Sequence, residues 1–274
     1  MRERYRTWLY APLDRPDRCL KALASDADQV IWDLEDAVEE SRKESARETL
    51  IDLLSTPLAR VPWVRINALD TPWGVTDLKT VAPAFGSGKA RWVVPKASGA
   101  TVEIMNTVDV DGQWLLIVET AEGLMDLLDR SGQGWQIHGP ARLAFGSLDY
   151  RNDIGAQETP DESELLMPRS VLALVSRRWC WDPPIDAVFP GIQDVAGMKA
   201  SASRGRSLGF GGKMVIHPNQ IGPVHTVYEP TSEEVAWAEE VVAASEARGA
   251  VQVQGAMVDR PVIERARRIL ANQP

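Results

Sequence analysis

Charged side chains stand at the ends of several apolar runs in this sequence, where a buried strand would give way to a loop. They are Glu35, Asp36, Arg65, Lys96, Glu119, Asp149 and His217. A carboxylate placed directly after a buried strand is unfavourable unless it is paired or bound to a metal ion. Because the carboxyl groups would converge on one face and repel one another, their positions indicate a bound cation.

Two of these acids are candidates for metal ligands. Oxygen donors suit a hard ion such as Mg²⁺, which one or two carboxylates hold together with water and substrate. Glu119 and Asp149 follow two consecutive predicted strands, so their carboxyl groups can reach a common point. We predict that they bind magnesium.

Each of the other charged residues also has a plain structural interpretation. Glu35 and Asp36 could be the acidic start of a helix, and Arg65 could simply be a buried ion-pair partner. Lys96 could form a Schiff base as in metal-free aldolases, although the surrounding carboxylates would hold it protonated. We expect His217 to be structural or to line a ligand site, rather than to act as a base.

The elements that must position these residues follow from the apolar pattern. Most apolar runs are continuous rather than alternating, which is typical of parallel strands covered by helices on both faces. Eight strands with seven intervening helices in roughly 220 residues predict an α/β fold of the TIM (β/α)₈ barrel type. A doubly wound open sheet is the alternative, but no G-x-G-x-x-G or Walker sequence follows any strand.

Three local predictions go with the barrel. A helix over Ser41–Leu54 is capped by Ser41, with Glu44 completing a capping box. A sixth strand over Arg142–Ser147 leads to one long helix within Ser163–Arg178. The chain then divides into a barrel over residues 1–225 and a C-terminal helical lid or arm over 226–274, with helices at Ser232–Arg248 and Val262–Ala271 and an extended segment at Val251–Val258.

Composition and charge exclude several classes of protein. The 274 residues carry a net charge of −9, which argues against general nucleic-acid binding. No apolar stretch approaches the ~20 residues that cross a bilayer, and the N-terminus does not read as a secretory signal. Two cysteines form no disulfide framework, so we expect a cytoplasmic protein. Residues 1–21 are locally basic, which suits either a small polyanionic ligand or a solvated face.

Long motifs, in a consistent order, resemble the beta subunit of citrate lyase and its relatives in the HpcH/HpaI aldolase and citrate lyase family. The resemblance covers nearly the whole chain. The motifs are WLYAPLDRP from Trp8, VIWDLEDAV from Val30, VRINALDTPWG from Val64, VVPK from Val93, IVETAEG from Ile117, AFGSLD from Ala144, GFGGKMVIHPNQI from Gly209 and MVDRP from Met257.

The resemblance implies a magnesium-dependent barrel that acts on acyl-CoA thioesters as a trimer or a multiple of one. It assigns the metal to Glu119 and Asp149, and substrate oxygens to Arg65. Glu35 and Asp36 correspond to acids that hold metal-bound water. Arg15, Lys96, His217 and Pro218 are assigned to the CoA pocket. Asp259 corresponds to an acid or base that some relatives place over a neighbouring subunit's site.

The implied reaction is reversible aldol cleavage of citryl-, citramalyl- or malyl-CoA to a 2-oxo acid and acetyl-CoA. The Gly-Ser-Leu-Asp form of the sixth-strand motif resembles the citramalyl-CoA lyase-like branch. Departures from the family pattern at Leu13, Ser98, Leu148 and Pro190-Gly191 bear on substrate identity more than on the metal. A thioesterase acting on the same substrate and a non-catalytic CoA-binding subunit of a lyase complex are the alternatives.

Overall fold

Eight parallel strands close into a barrel in the computed structural model, which describes residues 4–86, 90–108, 110–245, 252–254 and 256–271. The strands are β1 (Thr7–Pro12), β2 (Gln29–Asp33), β3 (Trp63–Arg65), β4 (Arg91–Val94), β5 (Gln113–Val118), β6 (Ala141–Phe145), β7 (Ile185–Asp186) and β8 (Gly212–Val215). They follow one another in chain order, and β8 pairs back onto β1 with Thr7 opposite Lys213. The predicted TIM barrel is confirmed.

Helices alternate with the strands of the barrel, and further helices follow β8 along the chain. They are α1 (Pro16–Leu23), α2 (Lys43–Leu54), α3 (Gly74–Phe85), α4 (Gly99–Val108), α5 (Ala121–Asp129), α6 (Ser147–Ile154), α7 (Leu166–Arg178), α8 (Val195–Ser207), α9 (Ile221–Tyr228), α10 (Ser232–Ser245) and α11 (Arg260–Ala271). No helix among the residues described here is both long and apolar enough to cross a membrane.

Two local predictions are wrong. Between β6 and β7 the chain forms two helices rather than one, because Ser147 begins the short polar helix α6, which Gly155 ends in a left-handed conformation. Ser41 does not cap a helix: it lies in a 3₁₀ turn, and α2 begins at Lys43. The buried ammonium of Lys43 instead donates to the carbonyl oxygens of Leu34 at 2.8 Å and Glu35 at 2.7 Å.

The barrel interior is filled by apolar side chains from the strands. They are Trp8, Ile31, Trp63, Val93, Leu115, Ile117, Ala144, Ile185 and Met214. Such packing makes the barrel a solid core rather than a channel, as expected for an eight-stranded barrel. Polar chemistry is therefore confined to the barrel ends and to the layer between strands and helices.

A group of paired charges, which we call the ion network, lies behind β7 and β8. Asp186 accepts from Lys213 Nζ at 2.9 Å and from Arg169 Nε at 2.8 Å. Arg169 Nη1 pairs with Glu162 at 2.6 Å, and Arg204 reaches the same carboxylate at 3.3 Å. Lys213 and Asp186 are fully buried, so their charges are neutralised by one another rather than by water.

The contacts divide the chain into two compact units, Met1–Val224 and His225–Pro274. In the second unit, α10 and α11 pack around a small core of Ala238, Val241, Val253 and Ala266. The expected extended segment forms a hairpin of β9 (Gln252–Val253) and β10 (Ala256–Met257). Val251, Gly255 and the expected end of the preceding helix at Arg248 lie outside the described residues.

Candidate functional site

Arg65 is surrounded by carboxylates from the segment that follows β2. Asp33 and Arg65 are opposite each other in the β2–β3 register. Asp33 binds the guanidinium as a fork, with 2.7 Å from Nε to Oδ1 and 2.6 Å from Nη2 to Oδ2. Nη1 faces Glu35 Oε2 at 2.8 Å and Asp36 at 3.4 Å. The ion-pair interpretation of Arg65 therefore holds, since each of its three guanidinium nitrogens faces a carboxylate.

Tyr10 of β1 supports the same guanidinium from the barrel interior. Its ring centroid is 4.8 Å from Arg65 Cζ, and its hydroxyl donates to Met214 Sδ at 3.3 Å. Burial acts to lower the pKa of Arg65, but the charge of Asp33 outweighs it and raises that pKa. Arg65 is thus a fixed positive charge held from its edge and from one face.

Glu35 and Asp36 occupy the turn after β2, not the first turn of a helix. Glu35 is buried, and its Oε2 has no hydrogen-bond donor in good geometry despite the nearby guanidinium. Burial raises the pKa of Glu35 to about 7, and the charges of Asp36 and Asp33 add to the rise, while Arg65 opposes it. A carboxyl group with such a pKa can exchange a proton near neutral pH.

Glu119 and Asp149 come from the segments after β5 and β6 and interact electrostatically with this group. Glu119 follows β5, is almost fully buried, and accepts from the main-chain N–H of Lys96 at 2.8 Å. Asp149 lies in the first turn of α6 rather than at the end of a strand. Burial raises the pKa of Glu119 to about 8, and the charges of Glu35 and Asp149 contribute to the rise.

The electrostatic coupling extends over the whole group. Burial raises the pKa of Asp149, with the charge of Asp36 adding to it and those of Arg65 and Lys96 opposing it. We call Glu35, Asp36, Glu119 and Asp149 the acid cluster. Together with Asp33, the acid cluster contributes five carboxyl groups, whereas the nearby cations are three: Arg65, Lys43 and Lys96. Burial is the main cause of the raised pKa values of Glu35, Glu119 and Asp149, and neighbouring carboxylates add to it.

This donor set fits a hard cation. Glu119 and Asp149 offer carboxylate oxygens, and a cation between them would relieve the repulsion that raises their pKa values. Within the described residues no group of three or more histidine, cysteine or acidic side chains is arranged to hold a metal. A pair of carboxylates completed by water and substrate is, however, a common way for proteins to bind Mg²⁺.

An open cavity adjoins the cluster at the carboxyl end of the barrel. Its lining includes Glu35, Asp36 and Lys96, with Thr71 and Trp73 from the loop after β3. Thr71 and Trp73 lie in the motif VRINALDTPWG, but neither was among the predicted site residues, because their local pattern does not mark them as cavity residues. Asp33 is the last residue of β2, and its pairing with Arg65 is set by the β2–β3 register.

Arg15, His217 and Pro218 lie after β1 and β8, which are neighbouring strands. Arg15 is exposed and ends 4.0 Å from Asp14. His217 precedes the 3₁₀ turn that begins at Pro218, and its Nδ1 accepts from the N–H of Asn219 at 3.1 Å. The Nε2 edge of His217 is therefore the one available to a ligand.

Asp259 belongs to the second unit, where it precedes α11. Its Oδ1 accepts from the N–H of Val262 at 3.2 Å. A side chain in this position caps the helix and stabilises it. The structure thus brings together Arg65, Glu35, Asp36, Lys96, Glu119 and Asp149, whereas Asp259 has a local contact of its own.

Comparisons with known proteins agree with the fold and identify the family. The pattern of the HpcH/HpaI aldolase/citrate lyase family matches residues 6–218. Citrate lyase subunit beta of Escherichia coli K12 is 31% identical over 97% of this chain and 92% of its own length. A (3S)-malyl-CoA thioesterase of Cereibacter sphaeroides is 31% identical over 97% and 94% of the two chains.

Among solved structures, protein CitE of Mycobacterium tuberculosis in complex with magnesium, acetoacetate and coenzyme A is similar throughout. It is 34% identical, covers 99% of both chains and superposes with a TM-score of 0.82. Sequence pattern, relatives and fold therefore agree that the chain belongs to the HpcH/HpaI aldolase/citrate lyase family.

Proposed function

We propose that this protein is a magnesium-dependent carbon–carbon lyase that cleaves the CoA thioester of a 3-hydroxy acid. The observation that carries the proposal is the group of carboxyl groups around one fixed guanidinium, of which Asp33, Glu35 and Glu119 are buried and Asp36 and Asp149 are exposed. The relative CitE binds magnesium and coenzyme A, which supports the same ligands for this chain. Citryl-, citramalyl- and malyl-CoA are the candidate substrates.

Glu119 and Asp149 would hold the magnesium ion. When bound, the ion supplies Lewis acidity toward the substrate hydroxyl and the adjacent carboxylate, which lowers the pKa of that hydroxyl. The rest of the chemistry belongs to the protein's own side chains, which bind the substrate, orient it and move protons.

Arg65 stabilises the negative charge that develops as the bond breaks. Loss of the hydroxyl proton allows the bond between the hydroxyl-bearing carbon and the carbon next to the thioester carbonyl to break. One fragment leaves as a 2-oxo acid, and the electron pair remains on the other as the enolate of acetyl-CoA. A guanidinium fixed by Asp33 and Tyr10 needs no reorganisation to stabilise that charge.

Proton transfer requires groups with a pKa near neutrality. Glu35, with its pKa near 7 and its Oε2 without a donor, is suited to take up a proton, and with Asp36 it would also orient bound water. Protonation of the enolate carbon yields acetyl-CoA, and we assign that step to Asp259 donated by a neighbouring subunit of a homotrimer. The second unit would then be a lid and an oligomerisation arm.

Coenzyme A would bind along the ends of β1, β4 and β8. Arg15 offers an exposed cation to its phosphates, Lys96 a second cation at the cavity, and the His217–Pro218 segment a wall. The charges of these side chains suit a polyanionic ligand, whereas the net charge of the whole chain is −9.

A thioesterase is the second candidate, because a relative of similar identity is a (3S)-malyl-CoA thioesterase. In that reaction water attacks the thioester carbonyl, and the products are a free 3-hydroxy acid and free CoA. A non-catalytic subunit of a lyase complex is the third, since another relative is a subunit of citrate lyase.

The products distinguish the three candidates. The three thioesters are incubated with the protein in Mg²⁺ and in EDTA, and acetyl-CoA, free CoA and 2-oxo acid are quantified. The lyase predicts acetyl-CoA and 2-oxo acid in equal amounts, with turnover lost in EDTA and in Glu119→Gln. The control is Glu122→Gln, an exposed acid on α5. Free CoA without acetyl-CoA would indicate the thioesterase, and no turnover of any of the three thioesters would indicate the non-catalytic subunit. Full activity in EDTA would overturn the metal site.

A further inference from the structure

We propose that the main chain of Lys96 and the missing side chain of Gly146 position Glu119 for cation binding. The inference rests on the proposed function, because it explains how the proposed metal ligand is held. Lys96 follows β4 and Gly146 follows β6, and these strands flank the β5 strand that carries Glu119. The carboxylate is therefore confined from both neighbouring strands.

Lys96 holds one carboxylate oxygen through an unusual backbone conformation. Its φ is +49°, in the left-handed region, which is unfavourable for residues other than glycine. In this conformation its N–H donates to Glu119 Oε1 at 2.8 Å. The turn is fixed by Thr101 Oγ1, which donates to the Lys96 carbonyl at 3.1 Å, and by the Ala97 N–H, which donates to Ile117 O at 2.8 Å.

Gly146 leaves the space that the Glu119 side chain occupies. A Cβ added at Gly146 would lie 2.5 Å from Glu119 Cβ and closer still to Oε2. The backbone of Gly146, with φ −102° and ψ 89°, does not require glycine. Glycine is therefore needed at position 146 to leave room for the Glu119 side chain, not to allow unusual backbone angles.

These two contacts leave one oxygen of Glu119 for a cation. Oε1 is bonded to the Lys96 N–H, and in the part of the chain described here Oε2 has no hydrogen-bond donor. A ligand oxygen held in this way loses little rotational freedom on binding a metal. Partners that orient a metal ligand typically change affinity about 10- to 100-fold when they are removed.

The test measures Mg²⁺ binding by calorimetry, without substrate. Lys96→Gly and Lys96→Val both remove the ammonium group, but glycine adopts a positive φ readily and β-branched valine does not. We expect Lys96→Gly to bind Mg²⁺ within about 3-fold of the wild-type affinity, and Lys96→Val to bind about 10- to 100-fold more weakly. Lys96→Ala should fall between them.

Gly146→Ala should also weaken Mg²⁺ binding by about 10- to 100-fold. Its control is Gly132→Ala, where an added Cβ meets nothing within 4 Å and affinity should not change. Thermal unfolding of each variant reports whether it is folded. If Lys96→Val does not fold, the comparison of Lys96→Ala with Lys96→Gly replaces it.

Different results would overturn the metal site and the positioning role of Lys96 and Gly146. A wild-type protein that binds no Mg²⁺ overturns the proposed metal site. A wild type that binds Mg²⁺, together with Gly146→Ala and Lys96→Val proteins that bind it equally well, overturns the positioning role alone.

Discussion

Two arginines in this barrel make the same forked pair with an aspartate, yet their surroundings differ. Arg65 binds Asp33 through Nε and Nη2 at 2.7 and 2.6 Å, and Arg169 binds Asp186 in the same way at 2.8 and 3.2 Å. In the ion network each acid is matched by a cation. In the acid cluster the carboxyl groups outnumber the cations.

The pKa values record this difference. Burial acts to raise the pKa of Glu162 in the ion network, but hydrogen bonds from Arg204 and the charge of Arg169 lower it to about 2. In the acid cluster, burial raises the pKa of Glu119 to about 8. The acids of the first group are paired with cations, whereas buried carboxyl groups of the second keep raised pKa values.

The largest effect should come from breaking the ion network. Asp186→Ala leaves Lys213 and Arg169 buried beside one acid instead of two, and loss of one partner of a buried pair costs about 3–5 kcal/mol. Urea unfolding measures the change. The control is Asp17→Ala, which removes an exposed pair with Lys21 and should change stability by less than about 1 kcal/mol. Equal losses of stability in the two variants would contradict the assignment of Asp186 to a buried ion network.

Exchanging the two arginines for lysine separates function from stability. Lysine keeps the charge but cannot form the fork. Arg65→Lys should lower turnover by about 10²- to 10³-fold, as loss of a preorganised donor does. Arg169→Lys should lower the free energy of unfolding but leave turnover per folded molecule unchanged. A similar loss of turnover in Arg65→Lys and Arg169→Lys would contradict the distinction between a functional acid cluster and a structural ion network.

Neutralising one member of the acid cluster should stabilise the metal-free protein. In Glu119→Gln the buried charge is removed, so the free energy of unfolding at pH 8.5 should rise by about 1 kcal/mol or more. The same change in the ion network, Glu162→Gln, should lower it. Urea unfolding in EDTA compares the two, and destabilisation by Glu119→Gln would show that its charge is already compensated.

The smallest effect is expected at the rim of the acid cluster. The Asp36 side chain is 64% exposed and lies 3.4 Å from Arg65. Because solvent screens this contact, Asp36→Asn should change the stability of the metal-free protein by less than about 1 kcal/mol. If its effect on urea unfolding equalled that of Glu119→Gln, the boundary drawn between buried and exposed acids would be wrong.

The barrel and part of the candidate site were predictable from sequence, since both depend on local patterns. Continuous apolar runs located the strands, and the acids after β2, β5 and β6 were visible at their ends. Helix α6 was missed because it is short and polar, with no apolar periodicity. Asp149 was therefore expected at a strand end.

The remaining features depend on contacts between distant segments. The ion network joins Glu162, Asp186 and Lys213, which come from separate segments of the chain. Their spacing in the sequence does not predict that they lie together. Likewise, the positive φ of Lys96 arises from the turn that packs against β5 and α4. A lysine after Val-Val-Pro gives no sign of it.

The dependence of magnesium stabilisation on pH tests the central claim most directly. Glu119 and Glu35 have folded-state pKa values of about 8 and 7, above the ordinary 4.5. Between the unfolded pKa of 4.5 and the folded values of about 7 and 8, the folded protein therefore binds more protons than the unfolded chain. The contribution of these groups to stability falls as pH rises through that window, and a bound cation would offset the loss.

The melting temperature is measured with Mg²⁺ and with EDTA at pH 5.5 and 8.5. We predict a larger increase on adding Mg²⁺ at pH 8.5, where the acids are ionised, than at pH 5.5, where protons compete. In Glu119→Gln that difference should disappear. An equal increase at both pH values, or none at either, would contradict the account of the acid cluster as a cation site.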